Sequence, residues 1–281
     1  MQGDLGLAYG QRLVGCIDHH DEEDIVPQEC GEEPRIVQKS GSCSSLVVEY
    51  CRDAWNTLSR RSESKDSASW DADLARLALA PILIDTTNLT NDYKVTPVDV
   101  KAAKYLESFI QADPTRKFDR EDYFQRITAA KNDIGGLSLS NILRKDYKQW
   151  TVAGTTNLGI SSVVKDIQFL IDKAGGKAKF FATMKDFARE RNLSMYSIMT
   201  ASQKDGTFGR ELLIWALDER GVYTAERFEA DSKEKLGLQQ WGDGTLDLRD
   251  DAQWRRCWQQ HKVENSRKQI APMLKTYMQK I

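Results

Sequence analysis

The apolar run Leu13-Val14-Gly15-Cys16-Ile17 ends in Asp18-His19-His20, which holds two of the three histidines in the 281-residue chain, the other being His261. Two adjacent imidazoles beside a carboxylate offer a mixed nitrogen and oxygen set, the kind that divalent transition metals take. A strand end is also where an open α/β sheet delivers side chains to a ligand-binding cleft. The other reading is a strand-end histidine pair that only hydrogen-bonds to a loop. These three residues alone leave both standing.

The elements that must position them follow from hydrophobic periodicity. Leu13 to Ile17 and Arg35 to Lys39 read as short strands, and after Gly41 the pattern turns helical, with Val47, Tyr50, Cys51, Ala54 and Leu58 on one stripe. Ser59 to Asp71 is charged, serine-rich and poor in apolar residues, which predicts a solvated loop or frayed helix end. Leu74 to Ile84 predicts a buried helix running into a strand over Ile82 to Ile84, punctuated by Pro81 and stopping at Asp85. Thr96-Pro97 opens another helix with a capping residue and a proline, and a further helix over Arg120 to Lys131 leads to Gly135-Gly136. Beyond those glycines, Tyr147 to Val152 and Leu158 to Val164 read as strands, and Ile167, Leu170, Ile171 and Ala174 as a helical stripe. Phe180, Phe181, Met184, Phe187 and Ala188 form the core face of a second helix, and Leu193 to Thr200 and Glu211 to Leu217 predict paired strands. Trp254-Arg255-Arg256-Cys257-Trp258 has residues that stack on nucleic acid, but at strand spacing it reads as a half-buried strand with its tryptophans inward. A last helix is expected from about Pro272.

Bulk properties exclude several classes. The five cysteines, Cys16, Cys30, Cys43, Cys51 and Cys257, are odd in number and form no C-x-x-C. That argues against a disulfide framework or structural zinc, and for a reducing compartment, read as the cytoplasm. The longest uncharged apolar stretch, Leu77 to Ile84, is far below the roughly 20 residues of a membrane span, and no signal-peptide pattern opens the chain. Lys and Arg total 40 against 42 Asp and Glu, a net charge of −2, so there is no global field for nucleic acid. Any anionic ligand must be held by a local cluster.

The strings Gly15-Cys16-Ile17-Asp18-His19-His20, Glu33-Pro34-Arg35-Ile36-Val37, Gly41-Ser42-Cys43-Ser44-Ser45, Ile84-Asp85-Thr86, Asp146-Tyr147-Lys148 and Ser266-Arg267-Lys268-Gln269 stand here in an order that resembles the DHH phosphoesterases. The likeness is to fungal cytosolic exopolyphosphatases, relatives of manganese-dependent inorganic pyrophosphatases and of the prune proteins, and it covers nearly the whole chain. It implies an α/β fold: a partial parallel-sheet DHH domain over 1–133, then a smaller C-terminal α/β domain with a mixed sheet over 137–281, which closes over substrate by motion around Ile134-Gly135-Gly136. It makes His19 a metal ligand, His20 a catalytic residue reaching the substrate phosphate, and Asp85 a carboxylate on the same metal, Mn²⁺ or Mg²⁺. Asp18 then orients the histidines or the loop from behind. Lys148, Arg267 and Lys268 match the family's phosphate-contacting cations, and a helix N-terminus beside the last two would add free N–H groups. Ser42 could help bind an anion or simply cap the helix that follows it.

The implied activity is metal-dependent release of terminal phosphate from inorganic polyphosphate, with a prune-like or pyrophosphatase-like specificity as one rival. The other rival is a catalytically inactive phosphate-binding or interaction module. The family's first motif, Asp-x-Asp after a strand, and its second, an apolar run ending in a bridging aspartate, have no counterpart before DHH. Met1 to Gly10 holds one aspartate, Asp4, without an apolar strand, so the sequence reads as a member beginning between the second and third motifs. On that reading the strand at Leu13 to Ile17 has an unpaired edge.

Overall fold

The computed structural model describes residues 12–22, 26–61, 67–154, 156–204, 206–250 and 252–280. Asp4 and residues 62–66 of the serine-rich segment lie outside them. The chain divides into two compact units between Asp133 and Ile134.

In the first unit, strands β1 (Cys16–Asp18) and β2 (Arg35–Val37) pair in parallel, with Cys16 opposite Arg35 and Asp18 opposite Val37. Four helices follow: α1 (Cys43–Arg61), α2 (Ser67–Thr86), α3 (Pro97–Ala112) and α4 (Arg120–Asn132). The expected strand at Ile82 to Ile84 is absent, and α2 runs through Pro81 to Thr86. A proline inside a helix costs about 3 kcal/mol. Leu79, Ile82 and Leu83, at helical spacing, are all fully buried in the core shared with Ala102, Ala103, Leu106 and Ile110 of α3, and burial of each is worth about 1.5–3 kcal/mol. The packing outweighs the proline, whose ring lies exposed.

The stripe expected to bury α1 faces water instead: Val47 is 41%, Tyr50 52% and Leu58 67% exposed. The adjoining side makes the contacts, through Val48 and Trp55 in the core, Ser44 to the Ala78 carbonyl, Trp55 to Asp71, and the Tyr105 hydroxyl donating to Asn56. On α2, Trp70, Leu74 and Leu77, spaced one turn apart, are likewise exposed. Of the segment expected to be a solvated loop or frayed helix end, residues 59–61 close α1 and residues 67–71 open α2.

The second unit holds α5 (Leu139–Lys145), β3 (Tyr147–Val152), β4 (Thr156–Val163), α6 (Ile167–Ala174), α7 (Lys177–Glu190), β5 (Met195–Thr200), β6 (Ser202–Lys204) and β7 (Thr207–Ala216). It continues with α8 (Glu219–Leu236), β8 (Leu238–Gln240), β9 (Leu248–Arg249), β10 (Trp254–Gln260) and α9 (Arg267–Met278). The main sheet runs β3-β4-β5-β7-β10-β8, with β6 on β7 and β9 on β10. Only β4 and β5 are parallel, joined across α6 and α7 as a parallel pair requires. Strand alternation feeds two cores. Ile198, Leu213 and Trp215 pack toward α5, α6 and α7, while Leu212, Ile214, Trp254 and Trp258 pack toward α8 and α9. The two tryptophans are thus inward and closed to nucleic acid. This unit is the longer of the two, against the expectation of a smaller second domain.

The last helix begins at Arg267, five residues before Pro272. Ser266 and Gln269 form a capping box that fixes the start. No described helix is long and apolar enough to cross a membrane.

Candidate functional site

Asp18 ends β1, and the chain turns there so that the ligand atoms of Asp18, His19 and His20 lie within 4.8 Å of one another. His20 Nδ1 donates to Asp18 Oδ1 at 2.6 Å, and the His20 backbone N–H donates to the same oxygen at 3.0 Å. His19 Nδ1 sits 3.1 Å from the Ser40 carbonyl oxygen, which can only accept, so Nδ1 carries the proton. Each ring is therefore tethered by Nδ1 with Nε2 left over, the arrangement in which second partners orient metal-binding histidines. The rings meet edge to face at 4.5 Å. Partial burial raises the Asp18 carboxyl's proton affinity, but the His20 ring and backbone bonds outweigh it, so its pKa lies below the ordinary value.

Asp85 is in the last turn of α2 rather than at a strand end, and outside the Asp18-His19-His20 trio. Ser42 Oγ donates to Asp85 Oδ2 at 2.7 Å, so the Ser42 hydroxyl is directed at the predicted carboxylate. The segment from Ser40 to Ser45 links the two: Ser40 holds His19, Ser42 holds Asp85, and Cys43 Sγ donates to the Ile17 carbonyl at 3.3 Å. Burial first, then the charges of Asp18 and Asp85 among others, push the Cys43 thiol up, which places both carboxylates in its electrostatic surroundings.

That segment is fixed by Asp99, fully buried at the start of α3. Its Oδ2 accepts from the N–H groups of Gly41 and Thr96 and from Thr96 Oγ1, and its Oδ1 accepts from the Ser42 N–H and Ser45 Oγ, all at 2.6–3.1 Å. Burial raises this carboxyl too, but Ser45, Thr96 and Gly41 hold it below its ordinary pKa. A Cβ on Gly41 would come within 2.6 Å of Thr86 Cγ2 and 2.9 Å of Asp99 Oδ2, so only glycine fits. In the sequence, Thr96-x-x-Asp99 reads only as a capping pattern, with nothing to mark its reach to Gly41, Ser42 and Ser45.

Immediately after Asp85, three successive non-glycine residues are left-handed: Thr87 (φ 53°), Asn88 (φ 55°) and Leu89 (φ 63°). Such residues cost roughly 1–3 kcal/mol each and cluster where the backbone is over-determined. The turn is held by Asn88 N–H to the Leu83 carbonyl (2.8 Å), Leu89 N–H to Thr86 Oγ1 (3.1 Å) and Asn91 N–H to the Thr86 carbonyl (3.2 Å). A cleft of about 350 Å³ lined by Asn88, Glu107, Phe118, Arg120 and Glu121 adjoins this turn and contains none of the predicted residues.

In the second unit, Arg267 is the first residue of α9 and Lys268 the second, within its first turn rather than ahead of it. No acidic residue occupies that turn, so two cations sit at the positive end of a helix, a repulsive placement that Asp146 relieves for Arg267 and that a bound anion would relieve further. Arg267 Nη2 donates to Asp146 Oδ1 at 2.7 Å and Nη1 to the Asp146 carbonyl at 2.9 Å. Asp146 immediately precedes β3, which carries Lys148 exposed. The structure thus brings Arg267 to the start of the Lys148 strand.

The family model of the DHHA2 domain matches residues 125–277, which include Lys148, Arg267 and Lys268. Over 267 residues the chain is 33% identical to a Schizosaccharomyces pombe protein named "Putative exopolyphosphatase", covering 93% of this chain and 63% of that protein. It is 28% identical over 195 residues to the Mus musculus protein "Exopolyphosphatase PRUNE1", covering 69% of this chain and 38% of that one. The chain therefore spans less than two thirds of the length of either relative. Its fold is similar to that in the "Crystal structure of Methanococcus jannaschii putative family II inorganic pyrophosphatase", with a TM-score of 0.57, 21% identity, and coverage of 93% of this chain and 71% of that one. The domain match takes in more than half of the residues and the whole run from β3 into α9, and on that basis the chain belongs to the DHHA2 domain family.

Proposed function

We propose that the protein is a metal-dependent hydrolase of phosphoanhydride bonds that releases terminal phosphate from inorganic polyphosphate. The observation that carries this is the tethering of His19 and His20 by Nδ1 beside Asp18, in a chain of the DHHA2 family. The exopolyphosphatase names of its relatives and the pyrophosphatase fold support the same reading.

The donor set fits a divalent ion. His19 Nε2 and carboxylate oxygen give the mixed set suited to Mn²⁺, and to Mg²⁺ where water fills the remainder. His19 and Asp85 are the proposed ligands, with Asp18 orienting His20 toward phosphate. When bound, the metal supplies an acidified water and charge neutralisation at phosphorus. The residues' own work is to hold Nε2 in place through Ser40 and Asp18, to bind phosphate oxygens through the N–H groups of Arg267 not turned to Asp146 and through the Lys148 and Lys268 ammonium groups, and to stabilise charge in the transition state. We place the protein in the cytoplasm, on its unpaired cysteines.

A phosphate-binding module without turnover is the second reading. Among the described residues the only cluster able to hold a metal is the trio Asp18, His19 and His20, few ligands for a two-metal site. The test is a phosphate-release assay, with Mn²⁺ or Mg²⁺, of the chain extended by a family Asp-x-Asp segment. Long polyphosphate should be cleaved in preference to pyrophosphate and cyclic nucleotides, and no release from any of them would overturn the proposal.

A further inference from the structure

Between β10 and α9, residues 261–266 deliver Arg267 and Lys268, and this loop is held by two side chains of the sheet. Gln260, the last residue of β10 and 2% exposed, uses Nε2 to donate to the Lys262 carbonyl at 2.9 Å and the Asn265 carbonyl at 2.6 Å. Arg210 lies directly across the sheet from it in β7. Its Nε donates to the Val263 carbonyl at 2.6 Å, and Nη1 reaches the Thr200 carbonyl at 3.4 Å. Of the four residues before the Ser266 cap, three have their carbonyl oxygens taken by this cross-strand pair.

Neither side chain is an inexpensive way to close a loop. The two carbonyls fix the Gln260 amide so that Oε1 is left buried without a partner, which is costly. Arg210 is a half-buried guanidinium whose hydrogen bonds to Val263 and Thr200 go to neutral carbonyls, and burial lowers its pKa. What the pair secures is the location of the first turn of α9, with its two cations and free N–H groups.

Resting on the proposed polyphosphate reading, we infer that Arg210 and Gln260 are positioning residues: they set where Arg267, Lys268 and the α9 N-terminus stand relative to Lys148, without touching phosphate themselves. Calorimetric titration of the full chain with inorganic polyphosphate of defined length, at several salt concentrations, tests this. Arg267→Ala should weaken binding and lower the slope of log Kd against log salt by about one, since one phosphate contact is lost. Arg210→Met and Gln260→Leu should each weaken binding about tenfold, the size of one or two misplaced hydrogen bonds, with the slope of the parent. Should either fail to fold, one glycine inserted between Val263 and Glu264 leaves both side chains in place, uncouples them from Ser266, and should give the same loss at the same slope. Parental affinity in these variants, with Arg267→Ala impaired, overturns the positioning role alone. A slope lowered by one in Arg210→Met makes Arg210 a phosphate contact and also overturns it. No binding by the parent, or parental binding by Arg267→Ala, removes the polyphosphate reading and this inference with it.

Discussion

Asp99→Asn keeps the shape of the side chain and reverses the polarity of one end. If the amide oxygen stays toward the Ser42 N–H and Ser45 Oγ, the new NH₂ faces the Gly41 N–H, the Thr96 N–H and Thr96 Oγ1. The threonine hydroxyl can turn and accept, but two backbone N–H groups lose their acceptor. At about 1–3 kcal/mol for each stranded buried group, and allowing for relaxation, we expect the first unit to lose about 3 kcal/mol. The pH dependence follows from the direction of the Asp99 shift. Its folded pKa lies below the unfolded value of about 3.9, so its stabilisation is complete above that value and is lost as pH falls through the folded pKa. The variant should lack this component. Because the two units need not unfold together, hydrogen exchange across residues 40–60 under rising urea is the assay. Protection within about 0.5 kcal/mol of the parent, or an unchanged acid limb, would refute the account of Asp99 as anchor of the Gly41–Ser45 segment.

Three further outcomes are expected. His19→Ala should abolish Mn²⁺ binding followed by electron paramagnetic resonance with the far-UV spectrum intact, and retained stoichiometric binding would remove His19 as a ligand. Lys148→Ala should weaken polyphosphate binding by about 1–3 kcal/mol, the range of a lost charge-assisted contact, and a parental Kd would take β3 out of the phosphate site. The 281-residue chain alone should release phosphate from polyphosphate only slowly with Mn²⁺ or Mg²⁺, because the trio at β1 and Asp85 leave a bound ion largely hydrated. Metal-dependent release well above a His19→Ala control would show that the residues present suffice.

The second unit was largely legible because its strands alternate and its helices carry one apolar face. Tyr147–Val152 is predicted and observed with the same limits, and Phe180, Met184 and Phe187 lie in the core as expected. The first unit misled where tertiary packing opposed local pattern. Ile82 to Ile84 reads as a strand after a proline, yet Leu79, Ile82 and Leu83 find a helical partner in α3. The α1 stripe reads as core because it is apolar, whereas Val48, Trp55 and Ser44, on an adjoining side, make the contacts. At the site, the position of His19 beside a strand end was readable. The tether to Ser40 and the convergence on Asp99 join residues 21 and 54–58 apart, a span that no periodicity reports. Pro272 drew the start of α9 too far along, because the Ser266-x-x-Gln269 box was outweighed by a proline that the helix absorbs.

The exposed stripes of α1 and α2 give the protein a distinctive solution behaviour. Val47, Tyr50, Leu58, Trp70, Leu74 and Leu77 together present more large apolar side chain than isolated surface leucines do, while a net charge of −2 supplies little long-range repulsion between molecules. Contact between molecules through these two helices would release water from that apolar surface. The osmotic second virial coefficient of a dilute solution should fall as sulfate is added, since excluded salts favour removal of apolar surface from water, and a mild non-ionic detergent should restore it. Such association would run through α1 and α2, remote in sequence from Lys148 and Arg267.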